Sequence, residues 1–139
     1  MRQVAIIVVV LAVAASAAAQ EHSWACSYSD QGVQTEFDKK GNPSISHVKA
    51  GMDPFVLVLD LDAGEARLRA NTAVEVIPVP VGGTLSFIEK TPTGLNVITL
   101  FVSSPLDKGG RVPFAQARHM DLAGPFPQQY FGTCTPIGG

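Results

Sequence analysis

The stretch FVLVLDLDAGEARLRAN, residues 55–71, decides the fold class of this chain. Before the turn residues Ala63-Gly64, leucine recurs at every second position from Leu57 to Leu61. After the turn, alanine and leucine alternate with arginine and asparagine over Ala66–Asn71. A period of two residues is typical of a β-strand with one buried face. The stretch therefore predicts an antiparallel hairpin.

The turn also predicts a register for this hairpin. A two-residue turn at Ala63-Gly64, or a four-residue turn over Asp62–Glu65, puts apolar residues opposite one another on one face and charged residues opposite one another on the other. The expected partners are Leu59 with Leu68, Leu61 with Ala66, and Asp60 with Arg67.

The rest of the chain after residue 20 also has the pattern of short β-strands separated by turns. Short runs rich in β-branched and aromatic residues alternate with clusters of Gly, Pro, Asn and Asp. This spacing predicts an all-β domain, a small antiparallel β-barrel or β-sandwich of about eight or nine strands. Strand order is not encoded in alternation, so both architectures stay open. The expected strands are 24–29, 33–38, 55–61, 66–71, 73–78, 84–89, 95–102, 112–118 and 129–134.

A second hairpin is predicted over residues 84–102, with its turn at Thr91–Gly94. The strand 95–102 carries apolar residues on both faces. Such a strand is expected to be covered on both sides, in a central position or by a partner or a loop.

The first nineteen residues have the pattern of a secretory signal peptide. Arg2 precedes an apolar run from Val4 to Ala15, and small residues follow at 16–19. The apolar stretch is short for a retained membrane anchor, which needs roughly 20 residues. We expect a signal peptide over 1–19, cleaved after Ala18 or Ala19, and a single β-rich domain over 20–139. The mature protein is then periplasmic or secreted, with no membrane span.

Two cysteines lie near the ends of that domain, Cys26 and Cys134. In an exported chain an even number of cysteines predicts pairing. We therefore expect one disulfide that joins the terminal strands, flanked by Trp24 and Tyr130. The absence of a Cys-x-x-Cys motif from the sequence argues against a redox function.

Composition narrows the choice of partners. Without Arg2, nine Lys and Arg face twelve Asp and Glu, a net charge of about −3. Nucleic-acid binding needs clustered cations, so no nucleic-acid partner is expected. Gly82-Gly83 lacks the lysine and the helix of a phosphate loop, and no cofactor is predicted.

Residues with catalytic chemistry are few and poorly grouped. Arg118, His119 and Asp121 cluster in the sequence, but adjacent strand residues point to opposite faces, so Arg118 and His119 should not converge. His47 has no acidic residue at a spacing that would make it a triad base. We predict no catalytic residues.

Possible metal ligands do not form a recognisable motif either. Cleavage after Ala19 would place His22 third, and a free amine with His at that position can wrap Cu(II) or Ni(II). Cleavage after Ala18, or cyclisation of Gln20, removes that geometry. Asp53, Asp60 and Asp62 lack the spacing of a calcium loop. No metal site is predicted.

Two motifs at the ends carry a resemblance. Trp24-Ala25-Cys26 and Gln129-Tyr130-Phe131-Gly132-Thr133-Cys134 resemble the start and the ending of small periplasmic proteins of unknown function from Gram-negative bacteria. There is a fainter similarity to periplasmic inhibitors of c-type lysozyme, which implies an eight-stranded barrel. This chain lacks the Ser-Gly-x-x-Tyr-like segment that those inhibitors insert into the enzyme.

Together these observations predict an exported, non-catalytic binding or envelope-associated protein. Its partner would be an envelope or extracellular protein. Two alternatives stay open: a β-barrel that holds a small apolar ligand, and an inhibitor of a cell-wall hydrolase.

Overall fold

A computed structural model describes residues 20–138 and contains nine β-strands and no helix within that range. The predicted signal peptide, residues 1–19, lies outside the described residues. The strands are β1 Glu21–Phe37, β2 Pro43–Lys49, β3 Phe55–Asp60, β4 Glu65–Arg69, β5 Ala73–Val81, β6 Thr84–Thr91, β7 Gly94–Leu100, β8 Val112–Asp121 and β9 Pro125–Pro136.

The strands form one antiparallel sheet that closes on itself. Its order is β2-β1-β3-β4-β5-β6-β7-β8-β9, and β1 also pairs with β9. Eight strands therefore make a closed barrel, and β2 is an extra strand at its rim. The all-β class and the barrel alternative are confirmed.

The 17-residue strand β1 pairs with three neighbours. On one side it meets β9; on the other it meets β3 along residues 21–26 and β2 along residues 31–37. A bulge between Tyr28 and Gly32 separates these halves, where two separate strands were predicted. Strand β2 was not predicted, because Pro43–Lys49 is mostly polar and almost wholly exposed, and so lacks an apolar face.

The hairpin β3–β4 forms, but the predicted register was wrong. Leu57 lies opposite Leu68 and Leu59 opposite Ala66, so every pair is shifted by two residues. The turn starts after Asp60, whose Oδ1 accepts hydrogen bonds of 3.0 Å from the backbone N–H groups of Asp62 and Ala63. Because the shift is an even number, each paired residue keeps its predicted face.

The barrel interior is filled by apolar side chains, with Phe87, Phe114, Leu57, Ile98 and Leu100 fully buried. Strand β7 contributes only one of its faces to this core. On its outer face Leu95 is 43% exposed, Val97 and Thr99 are partly buried, and Phe101, directly after the strand, is 37% exposed. The chain itself therefore covers the outer face of this strand only in part, and cover by a partner stays a prediction.

The predicted disulfide is present. Cys26 and Cys134 are direct partners across β1 and β9, with an S–S distance of 2.05 Å. Both residues are buried in the core, next to the partly buried Trp24 and Tyr28. The bridge thus crosses the β1–β9 seam that closes the barrel.

Candidate functional site

The barrel interior changes from apolar to polar at one row of residues. Partners across an antiparallel sheet point to the same face, so a row can be followed from strand to strand. One such row crosses the consecutive strands β2, β1, β9, β8, β7 and β6. We call it the polar row; its members are Ser46, Gln34, Gln128, Arg118, Asn96 and Glu89.

The next row towards the core is filled by buried side chains. It contains the buried residues Tyr130, Gln116, Ile98 and Phe87, which are partners or near neighbours across β9, β8, β7 and β6. The polar row therefore lies directly above the filled core. We call the open end of the barrel above that core the mouth.

A chain of hydrogen bonds connects the core to the mouth, and each residue in it donates to the next residue towards the mouth. The Tyr28 hydroxyl donates to Gln116 Oε1 at 2.6 Å, and Gln116 Nε2 donates to Asn96 Oδ1 at 2.6 Å. Asn96 Nδ2 then donates to Glu89 Oε2 at 2.9 Å. An ionised carboxylate only accepts hydrogen bonds, so Glu89 determines the orientation of both amides. This chain satisfies Gln116, which is 3% exposed and is the only buried polar residue among the described residues.

Tyr28 is held in its neutral form by this environment. It packs against Phe55 and Phe114, with ring centroids 5.3 and 5.4 Å away. Burial raises the pKa of its hydroxyl to about 12 from 10.0, although the positive charge of Arg118 and the Gln116 hydrogen bond act in the opposite direction. Tyr28 therefore remains a hydrogen-bond donor near neutral pH.

Arg118, in the middle of the polar row, lacks a carboxylate partner. Within residues 20–138 the one ion pair closer than 4.0 Å joins Arg111 to Asp107. Among the described residues, the one side-chain hydrogen bond of the Arg118 guanidinium is donated by Nη1 to Met52 Sδ at 3.9 Å. A thioether is a weak acceptor, whereas a guanidinium has five donors. The partly buried cation is therefore available to an acceptor from outside.

Met52 lies between two cavities in the mouth. It belongs to the loop 50–54, which connects the rim strand β2 to the barrel strand β3. Cavities of about 260 and 310 Å³ lie in contact with it, and both are also lined by Glu89, Asn96 and Gln116. Arg118 lines the first cavity, whereas Tyr28 and Asp53 line the second. The mouth is thus one cleft divided by a methionine side chain.

The residues considered for catalysis do not form one site. His119 and Asp121 line one cavity of about 330 Å³, and His47 lines a different cavity with Asp30. Arg118 faces the mouth, and His119 is exposed on the outer face, where its partners are Leu95 and Pro127. Asp121 Oδ1 accepts a hydrogen bond of 2.9 Å from Gly124 N in the following turn. His47 is exposed on β2. The expected divergence of Arg118 and His119 is confirmed.

The residues examined for metal binding are also dispersed. Glu21 and His22 are paired with β3, so wrapping a copper ion would require both to leave the sheet. Instead the imidazole of His22 stacks on Trp24, with ring centroids 6.2 Å apart. Over residues 20–138 no three His, Cys, Asp or Glu side chains are grouped as metal ligands, and Asp53, Asp60 and Asp62 make no such cluster.

Most of the polar row was missed by reading the sequence. A usable signal existed in the alternation itself: Asn96 has the parity of the core residues Ile98 and Leu100, and Gln116 has that of Phe114. Polar residues at core parity mark a change of environment along a strand. That these side chains share one mouth depends on strand pairing, which the pattern does not encode.

Comparison with known proteins does not name this site. No protein family, curated protein or solved structure matches the chain at a significant level. In residues 20–138 there is no helix with the length and apolar character of a membrane span.

Proposed function

We propose that this chain is an exported, non-catalytic binding protein whose binding site is the mouth of the barrel. The observation that carries the proposal is the polar row, which crosses the inner face of the five barrel strands β1, β9, β8, β7 and β6 above a filled core and continues to the exposed Ser46 on the rim strand β2. Exposed polar side chains are ordinary on the outside of a barrel. A continuous inward-facing row at an open end supplies convergent hydrogen-bonding groups, as binding sites do.

The filled core favours the mouth, rather than the barrel interior, as the binding site. Phe87 and Phe114 occupy the space between the strands, and the disulfide occupies the seam. The apolar-ligand alternative would need that volume. The two cavities at the mouth are small and combine apolar wall with the polar side chains of Glu89, Asn96 and Gln116, which favours a small ligand, or a group of a larger partner, that has both polar and apolar parts.

The arrangement of titratable groups supports binding over catalysis. General acid–base chemistry works best with a group whose pKa lies near the operating pH. The phenol at the mouth belongs to Tyr28, whose pKa of about 12 is far from neutrality. His22, His47 and His119 do not line either cavity of the mouth.

Export is supported by the disulfide, because such bonds persist in oxidising compartments. The similarity to lysozyme inhibitors implied an eight-stranded barrel, and the observed barrel has that number of strands. Membership in either periplasmic group and inhibition of a hydrolase stay predictions.

The test uses two adjacent glutamines on opposite faces. Gln128 lies in the polar row, and Gln129 is exposed on the outer face. The full chain and its Gln128→Trp and Gln129→Trp variants are incubated with envelope extract of the source cell, and bound molecules are identified by native mass spectrometry. A tryptophan at Gln128, the direct strand partner of Arg118, should block access to the Arg118 side chain, whereas the same residue on the outer face should not.

We expect a stoichiometric ligand or partner on the wild type and on Gln129→Trp, and its loss on Gln128→Trp. Asn96→Leu, which removes the central hydrogen bonds of the mouth, should give the same loss. Circular dichroism and melting temperature show whether each variant is folded. Equal recovery on folded Gln128→Trp and wild type, or no bound molecule at all, would reject the mouth as the binding site.

A further inference from the structure

We propose that the mouth binds a small zwitterion of the amino-acid type, with its carboxylate on Arg118 and its ammonium on Glu89. This inference rests on the proposed function and names the chemical class of its ligand. It follows from the charges, the hydrogen bonds and the size of the cavity that contains both side chains.

Arg118 is the carboxylate subsite. Its guanidinium has no ion-pair partner within 4.0 Å in the described chain, although Arg111 at the β7–β8 loop is paired with Asp107 at 3.0 Å. Arginine binds planar carboxylates with two parallel hydrogen bonds. The groups beside it in the polar row, Gln128 and Asn96, are neutral amides, so they add donors without adding a competing negative charge.

Glu89 is the ammonium subsite. One of its oxygens, Oε2, accepts the hydrogen bond from Asn96, and no protein donor is recorded for Oε1 within residues 20–138. The carboxylate is partly buried and lines the same cavity as Arg118. Asp53 adds a second negative charge on the other side of Met52, which further favours a cation at this end of the cleft.

The spacing of the two charges fits a short zwitterion. Arg118 and Glu89 lie on β8 and β6, with Asn96 of β7 between them in the same row. Two strand spacings separate their backbones by roughly 10 Å. The guanidinium and the carboxylate line one cavity and are not within 4.0 Å of each other, so a ligand that carries both opposite charges can contact both groups. A lone carboxylate or a lone amine would leave one charge unpaired.

The size and walls of the cavity agree with this class. A volume of about 260 Å³ suits a small molecule rather than a protein segment. Met120 and Met52 provide apolar wall next to the polar row. Methionine adapts its shape to different neighbours, so these residues are suited to contact an aliphatic side chain of the ligand.

The test compares three probes of nearly equal size. Leucine carries both charges, 4-methylpentanoate lacks the ammonium, and 3-methylbutylamine lacks the carboxylate. Each is titrated into the full chain, with the side-chain amide signals of Asn96, Gln116 and Gln128 followed by NMR. We expect leucine to shift these signals and to bind about tenfold or more tightly than either of the other probes, because each charged hydrogen bond adds to the affinity.

Matched variants assign the two subsites. Arg118→Gln should weaken leucine binding about tenfold or more and leave the weak binding of 3-methylbutylamine unchanged. Glu89→Gln should weaken leucine and leave 4-methylpentanoate unchanged. Arg111→Gln, far from the cavity, is the control and should bind leucine as the wild type does. If Glu89→Gln fails to fold, Arg118→Gln, whose side chain supports no recorded ion pair, still tests the carboxylate subsite.

Several results would overturn the zwitterion. They are the absence of leucine binding, equal binding of leucine and 4-methylpentanoate, and unchanged leucine binding by Arg118→Gln. The experiments distinguish failure of the zwitterion proposal from failure of the mouth as a binding site. A ligand from the envelope extract that is lost in Gln128→Trp, together with no leucine binding, would reject only the zwitterion, whereas no mouth-dependent ligand would reject both.

Discussion

At the scale of single residues, the stability of the fold depends on positions inside the barrel that hold a polar residue or a glycine. Gln116 is buried because Tyr28 and Asn96 satisfy its amide on both sides. Gly132 is required for a different reason: a Cβ there would meet the carbonyl oxygen of Ser27 and lie 2.5 Å from Phe114 Cε1. The requirement at each of these positions can be tested by a single substitution.

Tyr28→Phe should lower the free energy of unfolding by about 1–3 kcal/mol near pH 8, because buried Gln116 loses its donor. It should also remove an alkaline loss of stability. The folded pKa of Tyr28 is about 12 against 10.0 for a free tyrosine, so its contribution is complete below pH 10 and disappears as the pH rises to about 12. Urea unfolding at pH 8, 10 and 12 measures both effects. Tyr130→Phe, whose hydroxyl has no recorded hydrogen bond, is the control; an unchanged pH profile in Tyr28→Phe would contradict the assignment.

Gly132→Ala should be strongly destabilising, because the added methyl group meets backbone that cannot move without disturbing the β1–β9 seam. We expect a loss of about 3 kcal/mol or more, at the upper end for single substitutions. Gly51→Ala is the matched control, since a Cβ at Gly51 meets nothing within 4 Å. Thermal unfolding of both variants gives the comparison, and similar melting temperatures would refute the packing argument.

At the scale of elements, the hairpin β1–β2 is the part of the sheet that depends most on its turn. Strand β2 is almost wholly exposed, so burial contributes little to its pairing. The turn instead is organised by Asp38. Its Oδ1 accepts hydrogen bonds from Lys40 N at 2.8 Å and Asn42 N at 2.9 Å, and its Oδ2 accepts one from Asn42 Nδ2 at 2.9 Å.

Asp38→Ala should therefore loosen β2 while the barrel stays folded. Hydrogen exchange of the backbone amides over Ser44–Lys49 should become faster, with no change in β6 or β7. Lys39→Ala in the same turn is the control. The hydrogen bond from the Asn42 side chain is the main cause of a lowered Asp38 pKa, so this contribution is present above about pH 3.8 and is lost as the pH falls through the folded value. Equal exchange in the two variants would argue against the Asp38 cap.

At the scale of the whole molecule, the barrel is closed by pairing between the two ends of the chain. Strand β1 must find β9, and Cys26 and Cys134 lie directly opposite each other on that seam, 108 residues apart in sequence. Cross-linking distant residues stabilises mainly by removing conformations from the unfolded chain. The disulfide thus acts on the closing contact of the fold, which has the largest loop to form.

Replacing both cysteines, Cys26→Ala with Cys134→Ala, should lower the free energy of unfolding by about 4–5 kcal/mol in the chain-entropy picture. That is comparable to the net stability of a small domain. Urea unfolding of the double variant measures the loss, and chemically reduced wild type should unfold at a similar midpoint. A loss below about 1 kcal/mol would show that the bridge contributes little through the unfolded chain.

Local sequence patterns were sufficient to predict a large part of this structure. Alternation in 55–71 predicted a hairpin and the correct face of its paired residues, and the paired cysteines predicted the bridge between the terminal strands. Leu61 and Ala70, predicted on the inner face, instead lie outside the strands and are exposed. The same local reading assigned the wrong partners in that hairpin. It relied on the turn, and the Asp60 carboxylate holds a turn that starts two residues earlier than expected.

By itself, the sequence determined the all-β class, the strand faces and the disulfide, because side-chain parity and the identity of the cysteines are properties of short segments. The tertiary structure decided the closed barrel, the place of β2 and the mouth. Arg118, Asn96 and Glu89 become neighbours through the pairing of three strands, and Gln34 joins their row through the closure of β1 on β9. Strand order and register are set by contacts between distant parts of the chain, and no local pattern encodes them.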